Sequence, residues 1–561
     1  MSRTEQRDRD RCAVVAVFLL CAGATACGGR VGAQQATVQQ ATAQQPTPQQ
    51  QCEALARTAL AATTLATRYS TEGEARGGTP AVALPAHCVV DAKANERTGV
   101  DGRRYAIGFR LTLPDAWNGR FLFMGGGGND GTIGPAVGVG VGAPEALRPA
   151  LSHGYAVVNT DGGHAGTSAA DFGTDPQARI DHAYNAFDKT AVSAVALVAE
   201  RYGRKPDHSY FVGCSGGGRQ GMMFTQRFPA YFDGVIAHAP AMRVASGATV
   251  AAMWNNQQFS AVAPVEGGAP ILSKAYSNAD LALVSARILD RCDALDGASD
   301  GMVQNQKACR FDPAVLQCSG VKDDSCLTSQ QVVGLRKLFD GPRTSNNVQL
   351  YPGQVADPAI DQPGWRGWTL GSSTTAVPNS LYVRLMADAL RWEFFTPPAP
   401  DFSPTAFSVD ADPQRMQAYS AVYDTYTDAT LAAFRARGGK LMFLHGLADP
   451  IFSANDTAEY YERLAANHGG LASVQSFARY FPVPGENHCG GGRATDQFDV
   501  LTPMVDWVEK GVAPGSIAAA ASATNPFFPN RTRPLCPYPT FAKYTGTGSV
   551  ERADNFVCAD K

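Results

Sequence analysis

Ser209-Tyr210-Phe211-Val212-Gly213-Cys214-Ser215-Gly216-Gly217-Gly218-Arg219 reads as a strand, a tight turn and the start of a helix. Tyr210, Phe211 and Val212 are β-favouring residues. Gly213-x-Ser215-x-Gly217 follows, then the helix-forming run Gln220 to Arg227. In this order a glycine-flanked serine occupies a strained elbow, because glycines let the chain turn sharply without a Cβ clash. The serine hydroxyl then stands at the top of a sheet, at the N-terminus of the next helix. Five letters alone are a weak motif, and the cysteine at 214 is not part of it.

Before the elbow, Arg104 to Leu113, Phe121 to Met124 and Tyr155 to Asn159 read as strands. Ala183 to Tyr202 has helical periodicity. Asp233 to His238 reads as the next parallel strand, and Lys440 to His445 as a later one. A helix is expected from the capping box Asp456-x-x-Glu459, a strand over Ala478 to Val483 and a closing helix over Phe498 to Lys510. Alternating strands and helices imply a parallel sheet covered on both faces. Between Ala241 and Arg437 the rhythm breaks into Pro/Gly-rich segments carrying four of the six tryptophans. The expected fold is therefore α/β, an α/β-hydrolase core (52–240 and 438–561) with a large inserted lid domain (241–437).

Residues 1–33 read as an export signal. Arg3, Arg7, Arg9 and Arg11 precede an apolar run from Cys12 to Ala22, with cleavage after Ala26 or Ala33. A lipoprotein signal with Cys27 acylated is the equal alternative, giving a lipid anchor. Residues 34–51, rich in Gln, Ala, Thr and Pro, read as a disordered linker. A net charge of -3 without a basic stripe gives no reason to expect nucleic acid as a partner, and a monomer is expected. Ten cysteines lie beyond the signal, an even number that points to disulfides in an exported chain. Proximity suggests Cys292–Cys309, Cys318–Cys326, Cys536–Cys558 and Cys52–Cys88. Cys214 and Cys489 remain, either bonded to each other or including a free buried thiol.

Chain order selects the partners of Ser215. In an α/β-hydrolase the acid and then the histidine follow the nucleophile. Beyond the resumed strand lie His468, at a helix C-terminus, and His488, on a loop after a strand, which is the better base. Asp449, four residues past His445, is the acid; Asp456 reads as a helix cap. Expected oxyanion donors are the amide of Gly216 and one from the Gly125–Gly128 loop, Gly126 or Gly127. If Ser215 and His488 meet, Cys214 and Cys489 come within disulfide range. Cys214 as a thiol nucleophile is the rival reading, disfavoured because the elbow exposes the serine position.

Gly-Cys-Ser-Gly-Gly-Gly-Arg-Gln with a later Asp449 and His488-Cys489 resembles the tannase and feruloyl esterase family, as do Leu113-Pro114-x-x-Trp117-Asn118-Gly119-Arg120-Phe121 and Arg533-Pro534-Leu535-Cys536-Pro537-Tyr538-Pro539. Within it the similarity is greatest to the type that hydrolyses mono(2-hydroxyethyl) terephthalate. The resemblance implies an exported serine carboxylic ester hydrolase acting on small esters of aromatic acids, five disulfides and no organic cofactor. It also implies a structural Ca2+ in the lid, held by Asp293, Asp296 and Asp300 with the carbonyls of Ala298 and Met302. Three carboxylates in so short a stretch suit a hard cation. Where that type holds terephthalate with an arginine, a phenylalanine and serines, Leu381 to Ala389 offers only Arg384, and Gly216 replaces a glutamate. Arg384, Trp365 and Trp368 are the expected substrate contacts. A non-catalytic aromatic-binding surface protein on the same scaffold is the alternative, against which the intact Ser215, Asp449 and His488 argue.

Overall fold

The computed structural model describes residues 45–77, 81–141, 148–166 and 169–561. The expected signal, Cys27 and most of the expected linker lie outside the described residues. The end of that linker is not irregular. Pro48–Leu55 forms a helix capped by Thr47 and Gln50 in a reciprocal capping box, and Cys52 pins it to Cys88. Pro at the first turn and the box supply the local signal that the polar composition masks.

Nine strands build the central sheet: β1 (Thr63–Ser70), β2 (His87–Thr98), β3 (Arg104–Pro114), β4 (Arg120–Met124), β5 (Ala156–Thr160), β6 (His208–Cys214), β7 (Gly234–His238), β8 (Lys440–Gly446) and β9 (Ala478–Val483). Their order is β1-β2-β3-β5-β4-β6-β7-β8-β9. From β5 onward the strands are parallel; β1, β2, β3 and β5 pair antiparallel. The expected parallel sheet is the part from β5 onward, and β1, β2 and β3 extend it with antiparallel pairs. β1 was hidden because it alternates half-buried and exposed residues and is poor in apolar ones.

Two apolar layers cover the parallel half. One face packs Phe121, Phe123, Phe211 and Phe443 against the helices Ala186–Tyr202, Gly216–Arg227, which contributes Phe224, and Ala454–Asn467. The other packs Leu122, Val212, Ile236 and Leu444 under the closing helix Leu501–Lys510. The helix Ala454–Asn467 is capped by Ser453, not Asp456. Asp456 sits in its first turn, where its Oδ1 accepts from Arg243 Nε at 2.7 Å. The inserted segment carries the helices Thr249–Val262, Asn278–Cys292, Ser329–Asp340 and Pro413–Tyr423. One of its apolar clusters incorporates Tyr105, Phe172 and Ala183 from the preceding part of the chain. The five cysteine pairs that form are those expected.

Candidate active site

Ser215 lies between β6 and its helix with φ 64° and ψ -124°, a conformation that L-residues rarely adopt. Its N–H donates to the carbonyl of His238 on the neighbouring strand at 3.0 Å. The flanking glycines are required: a Cβ on Gly213 would sit 2.5 Å from the carbonyl carbon of Gly217, and one on Gly217 2.6 Å from the oxygen of Gly126. Cys214, the last residue of β6, is bonded to Cys489 with 6.1 Å between their Cα atoms. The residues after Cys214 and before Cys489 are Ser215 and His488. With its sulfur in that bond, Cys214 carries no thiol, and the thiol-nucleophile reading loses its nucleophile.

His488 shares a hydrogen bond of 2.7 Å with Asp449, from Nδ1 to Oδ2. The other carboxylate oxygen accepts the N–H groups of Ile451 and Phe452 at 2.8 and 3.1 Å. A second imidazole, His445, stands with Nε2 3.4 Å from Asp449 Oδ2. Burial by itself raises the Asp449 carboxyl, but the charge of His488 and the hydrogen bonds from both histidines outweigh it and hold the group below the usual carboxylate range. Trp368 and Phe452 meet the His488 ring edge-on, each with centroids 5.3 Å away.

The glycine loop after β4 closes on the elbow. The amide of Gly126 donates to Gln220 Oε1 at 3.0 Å, and Gln220 Nε2 donates to Asp130 Oδ2 at 2.9 Å. Gly126 is therefore committed, which corrects its inclusion among the oxyanion donors. Gly127 lies against the elbow: a Cβ on Gly216 would stand 3.4 Å from its Cα. Gln220, in the first turns of a helix that must bury its face, joins the site, and a polar side chain on that face is the one signal of it in the sequence.

Ser215, His488 and Gly125–Gly128 share one cavity of about 660 Å³. Trp368 lines it as expected. Trp365 does not: it is buried with Phe259 in a core of the segment between β7 and β8, its indole N–H on Gln354. Arg384 is exposed and stays outside the cavity; the same helical turn presents Leu385 and Met386 instead. Phe394, Tyr423 and Phe452 complete the aromatic wall. Among the described residues no Arg or Lys lines the cavity, whereas Glu486, Asp496 and His238 do.

The acidic stretch 293–302 forms a compact loop. Asp293 accepts the N–H of Gly301, and Asp296 those of Ala298 and Gln304. Burial first, then the charges of Asp300 and Asp293, push Asp296 up to about 7. Asp300 is bonded to Arg533, with Arg531 3.7 Å away. Among the described residues no three Asp, Glu, His or Cys side chains converge as a metal-binding group. Two of the three carboxylates, Asp293 and Asp296, keep the oxygen-donor chemistry calcium requires, and both lie without a cationic side-chain partner among the described residues.

The profile of the family described as tannase and feruloyl esterase matches residues 91–559. The chain belongs to the tannase and feruloyl esterase family. The mono(2-hydroxyethyl) terephthalate hydrolase of Piscinibacter sakaiensis is 43% identical over 525 residues, 85% of this chain and 86% of that one. A feruloyl esterase B-1 of Neosartorya fischeri, so named as probable, is 29% identical, covering 80% and 82%. Among solved structures, feruloyl esterase B from Aspergillus oryzae superposes with a TM-score of 0.75 at 25% identity, covering 91% of this chain and all of that one. As a member of this family of esterases, the protein is a carboxylic ester hydrolase on an α/β-hydrolase fold.

Proposed function

We propose that the protein is an exported serine esterase that cleaves small, uncharged esters of aromatic acids through an acyl-enzyme. The observation that carries this reading is the Asp449–His488 hydrogen bond on a loop that a disulfide joins to the Ser215 elbow. His488 takes the Ser215 proton as the hydroxyl attacks the ester carbonyl, then returns it to the departing alcohol. Asp449 fixes the imidazole tautomer through Nδ1 and balances the imidazolium. The amides of Gly216 and Gly127 receive the oxyanion. Water, activated by His488, then releases the acid.

The acid's ring suits the aromatic wall formed by Trp368, Phe394, Tyr423 and Phe452. A carboxylate-bearing ring such as a terephthalate monoester fits less well, because a charge carried into this cavity meets no arginine or lysine and two acidic side chains. Feruloyl and galloyl esters carry no such charge. Export is supported by five disulfides and by the N-terminal composition. Calcium in the 293–302 loop would be held by Asp293 and Asp296 with the carbonyls of Ala298 and Met302, and Asp300 would have to be shared with Arg533; its role there is structural.

The test is Ser215→Ala with a panel of methyl ferulate, methyl gallate and a terephthalate monoester. The wild type should take a serine-directed organophosphonate adduct and favour the uncharged esters. Ser215→Ala should lose both the adduct and turnover. Turnover surviving in Ser215→Ala would refute the mechanism, and a preference for the terephthalate monoester would refute the assignment of substrate.

A further inference from the structure

Asp449 is held by more than the base it serves. Its Oδ1 accepts the N–H groups of Ile451 and Phe452, and its Oδ2 accepts the Nδ1–H of His488 at 2.7 Å. A further group reaches Oδ2. His445, near the end of β8 and fully buried, brings Nε2 to 3.4 Å from Asp449 Oδ2 and to 3.1 Å from the carbonyl oxygen of Phe452. On the other side of the ring, Nδ1 is 2.8 Å from Thr457 Oγ1.

These partners fix the ring's proton. Both oxygens beside Nε2 are acceptors, so Nε2 carries the hydrogen and shares it between them. A bare Nε2 would set a lone pair against a carbonyl and a carboxylate. Nδ1 of the neutral ring is then an acceptor, and the hydroxyl of Thr457, also fully buried, donates to it. Both groups that His445 holds bear on His488. Asp449 bonds its Nδ1, and the Phe452 ring meets it edge-on at 5.3 Å between centroids. With Oδ1 tethered by two amides, the plane of the carboxylate is set by what Oδ2 meets. His488 gains and loses a proton in each half-reaction, so its pull on Oδ2 varies; that of His445 is constant. His445 is not among the residues that line the cavity, so it acts through Asp449 and Phe452.

We infer that His445 is a positioning residue of the ester hydrolysis, whose one N–H holds the acid and the aromatic neighbour of His488 in register. This rests on the esterase reading above and adds a fourth side chain to the three that carry it. Its loss has a definite electrostatic sign. A donor on Oδ2 spreads the negative charge of the carboxylate, so removing it raises the proton affinity of the Asp449–His488 pair. The acid limb of kcat/KM follows that pair and moves up in pH. The other titratable groups around Asp449 are His238 with its partner Glu486, Tyr351 and Tyr382. The substitutions below leave all four in place.

Three variants test this. His445→Phe keeps a ring and removes both nitrogens. His445→Gln puts an amide N–H near the place of Nε2. Thr457→Val keeps the imidazole and removes the donor to Nδ1. Rates are taken on whichever ester of the panel the wild type cleaves fastest, per Ser215 labelled by the phosphonate, so unfolded protein drops out. His445→Phe should lower kcat about 10–100-fold with KM nearly constant and move the acid limb up by about 0.5–1 in pH. His445→Gln should recover most of both, and Thr457→Val should fall between it and His445→Phe. A lowered kcat with an unmoved acid limb marks lost packing and overturns the inference; so does an unchanged kcat, or His445→Gln no better than His445→Phe. If His445→Phe does not fold, Thr457→Val decides, and wild-type kcat and acid limb there overturn it. Wild-type protein with neither turnover nor labelling overturns the esterase mechanism instead.

Discussion

Removing both sulfurs of the Cys214–Cys489 bond separates two consequences that a disulfide usually mixes. The pair closes a sequence separation of 275 residues, against 17 for Cys292–Cys309. The loop-entropy relation assigns about 5–6 kcal/mol to the former and about 3 kcal/mol to the latter at 25 °C. The larger value is an upper one, since the other cross-links already restrict the unfolded chain. Both double variants, Cys214→Ser with Cys489→Ser and Cys292→Ser with Cys309→Ser, should therefore melt below the wild type, the first more so. Their effects on rate should differ. Only Cys214–Cys489 joins the residue before Ser215 to the residue after His488, and an ångström of misplacement at a reacting pair costs on the order of 100-fold. The assay is kcat on methyl ferulate, well below each variant's melting temperature. Loss of one to two orders of magnitude is expected for the first double variant and less than twofold for the second. If both keep wild-type kcat while folded, the bond does not hold the nucleophile and base in register, and the argument fails.

Three further outcomes follow from the same geometry. Gln220→Leu removes the acceptor of the Gly126 amide and the donor to Asp130, so kcat should fall about 10–100-fold with KM nearly constant, as for a loosened oxyanion loop; a raised KM at constant kcat would contradict it. Asp161 accepts the amides of Gly108 and Gly163, and burial first of all lifts its carboxyl to about 7. The folded state then holds a proton that the unfolded chain releases above its ordinary value, so stability falls as pH rises from about 4 to 7, by at most about 4 kcal/mol. Asp161→Asn should thus gain stability relative to wild type between pH 5 and pH 8, read by urea unfolding, and a flat difference would exclude Asp161 as the source. Chelation of calcium should lower the melting temperature and restore on adding the ion back, while Asp293→Asn with Asp296→Asn should be insensitive to both; an unchanged wild-type melting temperature would count against the site.

What the sequence conveyed, and what it withheld, divides along physical lines. The elbow at Ser215 and the pairing of Asp449 with His488 were legible because strand-end placement and chain order are local signals, and Cys489 because its partner Cys214 adjoins Ser215. Trp368 and Trp365 could not be told apart: they stand three positions apart on one short helix, and only tertiary packing turns one to His488 and the other into a core of the segment between β7 and β8. Arg384 stands near the place where the resemblance implies an arginine, yet its helical turn sends that charge to solvent and brings Leu385 and Met386 to the cavity. Gly126 and Gly127 differ only in which amide Gln220 reaches, a contact spanning 94 residues that no local pattern encodes.

The same division bears on the substrate. One wall of the cavity is assembled from β4, β6, β7 and the segment after His488, and its charge pair joins His238 to Glu486 across 248 residues. Neither residue belongs to a motif, and each alone reads as an ordinary strand-end or loop residue. Their significance comes from burial: a carboxylate and an imidazole withdrawn from water beside the nucleophile, with no arginine or lysine among the described lining residues to offset another anion. Charge in such a place discriminates by penalty more than by attraction, since an unmatched group must surrender its hydration. On the esterase reading proposed above, the acid half is then selected against a second carboxylate.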